Sequence, residues 1–157
     1  MIMPRLIRAY DEGKLKIMGS GQNIVDLTPV ANVVHAILKG LTAEEQGVNE
    51  IYNISNGDPV KLWEQIDVVL EKLGKKLPKK KLPFWLVKAV ATNMERASRM
   101  TSNKEPALTV YGVGTLTKSF TMDISKAKEL LGYEPKVSVS EAIDEFVEWY
   151  VVHGKDT

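Results

Sequence analysis

Residues 19–38, Gly-Ser-Gly-Gln-Asn-Ile-Val-Asp-Leu-Thr-Pro-Val-Ala-Asn-Val-Val-His-Ala-Ile-Leu, leave few choices of fold. Gly19 and Gly21 relax a turn, and Ile24 to Leu27 reads as a short buried strand. A helix must then begin abruptly. The Thr28 hydroxyl can accept from an unpaired amide of the first turn, and Pro29 sits where a missing N–H costs nothing. Val30, Val33, Val34, Ile37 and Leu38 recur at spacings of three and four, so one stripe of the helix is apolar. The expected unit is strand, turn and helix, with both elements half buried. Such units build α/β folds.

Composition narrows the class. A chain of 157 residues is long enough to bury a core, and a single domain over residues 1–157 is expected. A net charge of +1 supplies no bulk field for nucleic acid or a membrane surface. Cysteine is absent, which excludes disulfides and thiolate metal sites. No apolar run approaches the roughly 20 residues of a membrane span. The start, Met-Ile-Met-Pro-Arg-Leu-Ile, lacks the charged segment and long apolar core of a signal peptide. The expectation is a soluble cytoplasmic protein.

Along the chain, Pro4 with Leu6, Ile7 and Tyr10 predicts a short helix ending at Gly13, and Lys14 to Met18 a half-exposed strand. Gly40 should close the helix of the central unit. Glu50 to Ile54 is strand-like, and Ser55 to Pro59 is dense in turn formers. Leu62, Trp63, Ile66, Val69, Leu70 and Leu73 mark an amphipathic helix stopped by Gly74. Residues 74–83 hold five lysines between prolines, the pattern of a solvated, protected edge strand rather than a phosphate patch. The helix starting at Phe84 is apolar over much of its circumference, so it either packs deeply or borders an apolar pocket. Thr101 to Lys118 is expected to be the least regular stretch. Lys126 to Leu131 should form a short helix closed by Gly132. Ser138 with Glu141 forms a capping box that opens the last helix, lined by Val139, Ile143, Phe146, Val147 and Tyr150.

Three blocks in this order, "GSGQNIVDLTPVANVVHAIL", "IYNISNGDPVKLWEQI" and "FTMDISKAKELLGYEPKVSVSEAIDEFVEWY", resemble the C-terminal half of extended short-chain dehydrogenases/reductases, the NAD-dependent epimerase/dehydratase superfamily. The branch most like them is that of the 3β-hydroxysteroid and sterol-4α-carboxylate 3-dehydrogenases. The resemblance implies an α/β fold: the helix-rich C-terminal portion of such an enzyme, with about six helices, a few short strands and an incomplete Rossmann sheet. Glu50 to Ile54 would be the last strand of that sheet, leaving an exposed apolar edge near Tyr52. The nucleotide-binding half would be absent, its blocks preceding Met1, and the chain would be a fragment inactive by itself.

The family's reaction needs a glycine-rich turn for the dinucleotide, a helix-borne tyrosine and lysine, and a serine or threonine that orients the substrate oxygen. Gly19/Gly21 and Gly112/Gly114 each lack a third glycine, so no cofactor-binding or catalytic residue is assigned here. NAD or NADP is expected only for the full-length parent. Tyr10 and Lys14 form the one Tyr-x-x-x-Lys, but Gly13 ends their helix and separates them. His35 and His153 have no partners at metal-ligand spacing, so no metal is expected. The resemblance places Met3, Leu6, Asn23 and Val25 around the substrate pocket. Where nucleotide-sugar epimerases carry an arginine just before the aspartate of this strand, Val25 precedes Asp26. A valine cannot clamp a diphosphate through charge-assisted bonds. Pro29 and Ala31 depart from the family's usual aromatic or histidine and acidic residues.

The expected function is therefore the substrate-binding half of an NAD(P)-dependent oxidoreductase for a hydrophobic secondary alcohol. A stand-alone binding module without catalysis, or part of a nucleotide-sugar epimerase/dehydratase, are the alternatives. The expected partner is a hydrophobic small molecule, with no nucleic acid and no membrane span. Self-association through the surface left by the missing half is a further expected contact.

Overall fold

The structure is a computed structural model that describes residues 2–101, 106 and 108–154. In chain order the elements are α1 (Ile2–Asp11), β1 (Ile17–Met18), β2 (Ile24–Val25), α2 (Val30–Leu41), β3 (Val60–Lys61) and α3 (Leu62–Lys72). There follow β4 (Lys81–Leu82), α4 (Phe84–Thr101), α5 (Val110–Thr117), α6 (Ser125–Leu131) and α7 (Val139–His153). The fold is helix-rich α/β, and its two-residue strands pair only in twos among the described residues. The chain is laid out in two compact units, one from Met1–Ile24 and Lys61–Phe120, the other from Val25–Val60 and Thr121–Thr157.

In the first unit β1 pairs in parallel with β4, Ile17 opposite Lys81 and Met18 opposite Leu82. This gives the lysine-rich stretch its expected edge strand. The predicted strand at Lys14 to Met18 shrinks to the two residues that find a partner. Trp63, on the buried side of α3, donates its indole N–H to the Leu116 carbonyl at 3.0 Å. Val87 and Ala91 of α4 and Val113 of α5 form a core cluster bordered by Met18, Leu82 and Phe84. The second half of the stretch expected to be irregular is thus the helix α5. The Thr109 hydroxyl accepts from Gly112 N at 2.9 Å, and burial of Val113 and Leu116 outweighs the two glycines. Residues 102–105 and 107 of that stretch lie outside the described residues.

In the second unit Ala36, Ile124, Ala127, Leu131 and Tyr133 are the core, with Tyr52 and Ile54 packed against them. Here α2 corrects the sequence reading three times. It starts at Val30, because Pro29 has ψ 139°, outside the helical range, so Thr28 lies too early to cap it. It runs through Gly40 to Leu41 and is closed by Thr42, whose hydroxyl donates to the carbonyls of Leu38 and Lys39. Its apolar stripe also faces outward. Val30 is 78% and Leu41 77% exposed, with Val34, Ile37 and Leu38 also exposed, whereas Asn32 and Ala36 are the buried residues. The predicted strand Glu50 to Ile54 forms no ladder, since no neighbouring strand lies beside it to complete one among the described residues. Ile51 is 89% exposed next to the half-buried Tyr52.

The local signals around α6 and α7 match their geometry. Gly132 closes α6 at φ 59°, a left-handed position that a side chain would strain. The Ser125 hydroxyl first, then the Ser125 N–H that Asp123 accepts from at 2.8 Å, hold the Asp123 carboxyl below the usual aspartate range. In the capping box, Glu141 accepts from Ser138 N at 2.8 Å and from the Ser138 hydroxyl at 2.7 Å. The backbone bond first, then the hydroxyl bond, lower the Glu141 pKa. A depressed folded-state value means the support is present at neutral pH and is lost as the pH falls through that value. Ser138→Ala should cost about 1 kcal/mol of stability. It should also flatten the acid limb of a stability-versus-pH curve measured by urea unfolding. An unchanged curve would deny the box its role.

Candidate functional site

The four residues placed around a substrate pocket divide between the two units. Met3 and Leu6 sit one turn apart on α1, Met3 half-buried and Leu6 buried. Asn23 lies just before β2 and is 4% exposed. Its main-chain carbonyl accepts from Leu62 N at 3.1 Å, and its side-chain N–H reaches the Lys118 carbonyl at 3.5 Å. The side-chain oxygen Oδ1 is enclosed and has no hydrogen-bond partner among the described residues. An enclosed acceptor without a donor is uncommon and costly, so Asn23 is the most chemically distinctive of the four. Next to it, Ile24 is fixed on both sides: its N–H donates to the Ser119 hydroxyl at 3.0 Å, and its carbonyl accepts from Phe120 N at 2.8 Å.

In the other unit Val25 is buried, and Asp26 follows it. Asp26 Oδ2 accepts from Met122 N at 2.7 Å, while Oδ1 is enclosed without a hydrogen-bond partner among the described residues. Asp26 therefore ties the 121–123 segment down beside the strand. His35 lies on the inward side of α2, its ring centroid 6.2 Å from that of Tyr133, with Nε2 enclosed and without a hydrogen-bond partner among the described residues. Tyr133 is fully buried and donates to the Ser55 carbonyl at 3.1 Å; burial pushes its pKa up. It is a structural phenol.

Sequence reasoning missed Asn32, the buried centre of this unit. Its Nδ2 donates to Asn56 Oδ1 at 2.6 Å and to the Val137 carbonyl at 2.7 Å. Its Oδ1 accepts from Lys136 N at 2.8 Å and Val137 N at 3.0 Å. The available signal was an asparagine among valines, the wrong residue for a solvated position in so apolar a helix. Tyr10 and Lys14 are drawn apart as expected. The Tyr10 hydroxyl accepts from Lys76 N and its ring lies under Lys75, while Lys14 pairs with Glu12. Among the described residues, no group of three or more His, Cys, Asp or Glu could hold a metal ion.

No family model matches the chain. Individual proteins do. The chain is 36% identical to the 3beta-hydroxysteroid-dehydrogenase/decarboxylase isoform 1 of Arabidopsis thaliana over 91% of its own length and 35% of that protein's. It is 31% identical to the bovine (Bos taurus) sterol-4-alpha-carboxylate 3-dehydrogenase, decarboxylating, over 93% of its own length and 43% of that protein's. The chain belongs to the extended short-chain dehydrogenases/reductases. It spans less than half the length of these curated relatives. The fold also matches the crystal structure of UDP-glucuronic acid 4-epimerase from Bacillus cereus in complex with NAD. The TM-score is 0.60 and the identity 23%, over 95% of this chain and 39% of that one.

At Gly21 (φ +74°) an added Cβ would meet Ile17 Cγ2 at 2.8 Å and Trp63 Cδ1 at 3.9 Å. That turn is packed against its own unit's side chains rather than opened toward a phosphate. Gly112 and Gly114 lie inside α5 and present no strand-to-helix turn.

Proposed function

We propose that this chain supplies the substrate-side part of an NAD(P)-dependent oxidoreductase acting on a hydrophobic secondary alcohol of the 3β-hydroxysteroid kind, with Met3, Leu6, Asn23 and Val25 shaping the substrate's surroundings. The observation that carries it is Val25. Both relatives named for their reactions act on sterol or steroid skeletons, and in this chain the residue before Asp26 is a buried valine. A nucleotide-sugar diphosphate would meet no cation there, whereas an apolar skeleton loses nothing by the exchange.

The nucleotide-binding part is proposed to come from the remaining length that the relatives possess. The outward apolar face of α2 and the exposed Ile51 support this reading. The α2 face alone groups more apolar side chains than the scattered single residues usual on a monomer, and a packed partner removes its hydration cost. Self-association of isolated chains through that surface is the second reading.

The test is dinucleotide reduction. The whole gene product should reduce NAD or NADP when given a 3β-hydroxysteroid, and the isolated chain should do neither this nor bind the dinucleotide by calorimetry. Steroid-dependent reduction by the isolated chain would contradict the division of labour.

A further inference from the structure

Helix α4 buries Val87 and Ala91, and the stripe on its far side carries cations and no carboxylate. Trp85, Lys88, Ala89, Thr92 and Arg96 recur along that stripe at spacings of three and four. Trp85 is 69% exposed and borders a shallow groove of about 500 Å³ with Lys88, Ala89 and Arg96. Lys88 and Arg96 are exposed, and neither has an ion pair among the described residues. The one carboxylate of the helix, Glu95, is turned to accept from Val110 N at 2.7 Å.

Helix α7 presents the opposite charge at the same spacing. It buries Val139 and Ile143, and Glu141, Glu145, Glu148 and Val152 form the stripe on its far side. Val152 is 71% exposed, and Trp149 flanks it, its ring between Phe146 and a stacked His153 at 5.6 Å. Glu145 and Glu148 are exposed and have no ion pair among the described residues. The two stripes also match in length. Trp85 to Arg96 and Val152 to Glu141 each cover about 16 Å at the helical rise of about 1.5 Å per residue.

We propose that the basic stripe of α4 docks on the acidic stripe of α7 from a second copy of this chain. Laid antiparallel, Trp85 meets Val152, Lys88 lies beside Glu148, and Arg96 reaches Glu145. The small side chain of Ala89 leaves the groove open for Trp149 and Val152, so apolar contact accompanies the ion pairs. Charge complementarity of this kind fixes register and suppresses wrong pairings. An unrelated acidic partner is the poorer occupant, because it would leave the α7 stripe uncovered. Like stripes repel, so α4 against α4 and α7 against α7 are both disfavoured. The inference is independent of the reaction proposed above.

The test is sedimentation equilibrium of the chain across a concentration and salt series. The wild-type chain should self-associate at submillimolar concentration, and the association should weaken as salt is raised. Lys88→Glu with Arg96→Glu, or Glu145→Lys with Glu148→Lys, should each lower the association constant at least about tenfold, by setting like charges face to face. Mixing the two double variants should restore association, since the reversed α4 of one then meets the reversed α7 of the other. All four positions are exposed, and circular dichroism should confirm that both variants are folded. A monomeric wild-type chain would overturn the proposal. So would a mixture no more associated than its components. Association untouched by either double variant would overturn it too, and would point to the outward face of α2 instead.

Discussion

Trp63→Ala should lower the stability of the chain by about 3–5 kcal/mol, read as a fall in the urea midpoint at unchanged slope. Trp63 is 2% exposed on α3, which contributes Leu62, Ile66, Val69 and Leu70 to the core around it. Truncation leaves a cavity the size of an indole and strips the Leu116 carbonyl of its buried donor. The two costs separate in Trp63→Phe, which keeps much of the volume and loses only the bond. That variant should cost about 1–3 kcal/mol, the penalty of one unsatisfied buried carbonyl. Equal losses in the two variants would show that the indole bond, not packing, is all that matters, and no loss in Trp63→Phe would show the reverse.

Asn32→Ala should cost about 3 kcal/mol by the same measurement, through polar groups rather than volume. The amide holds residues 136–137 from both sides, donating to one carbonyl and accepting from two N–H groups, and also bonds Asn56. Alanine would leave all of these partners without it. Asn32→Asp separates the roles of the two side-chain atoms. A carboxylate could still accept from Lys136 N and Val137 N, but its second oxygen would face the Val137 carbonyl. Its folded-state pKa would therefore be raised, and the variant should regain stability as the pH falls and the carboxyl becomes a donor. Stability falling with acid, as for ordinary carboxylates, would contradict the assigned geometry.

These two residues mark what the sequence did and did not disclose. Signals whose physics is local were legible: the Ser138–Glu141 box, the Gly132 stop and the α3 stripe around Trp63 all stand where their residue types require. Signals that depend on a neighbour were not. The periodicity of Val30, Val33, Val34, Ile37 and Leu38 correctly marked an apolar stripe but could not say which side of α2 would be covered. The opposite side is held inward by Asn32, whose partners lie more than a hundred residues away at 136–137. Glu50 to Ile54 failed as a strand for a similar reason, since backbone suited to a ladder forms none without a second strand. At the candidate site, the three sequence blocks supplied Val25 and Asn23 as expectations. They could not supply the enclosed, unpartnered Oδ1 of Asn23, because it follows from how residues 118–120 fold back on 23–24.

The kcat/KM ratio of the whole gene product for a 3β-hydroxysteroid against UDP-glucose, with NAD or NADP supplied, tests the central claim most directly. The account predicts steroid-dependent dinucleotide reduction and no conversion of UDP-glucose. Turnover of UDP-glucose with the steroid inert would contradict it, and would mean that a diphosphate is held without any cation at Val25.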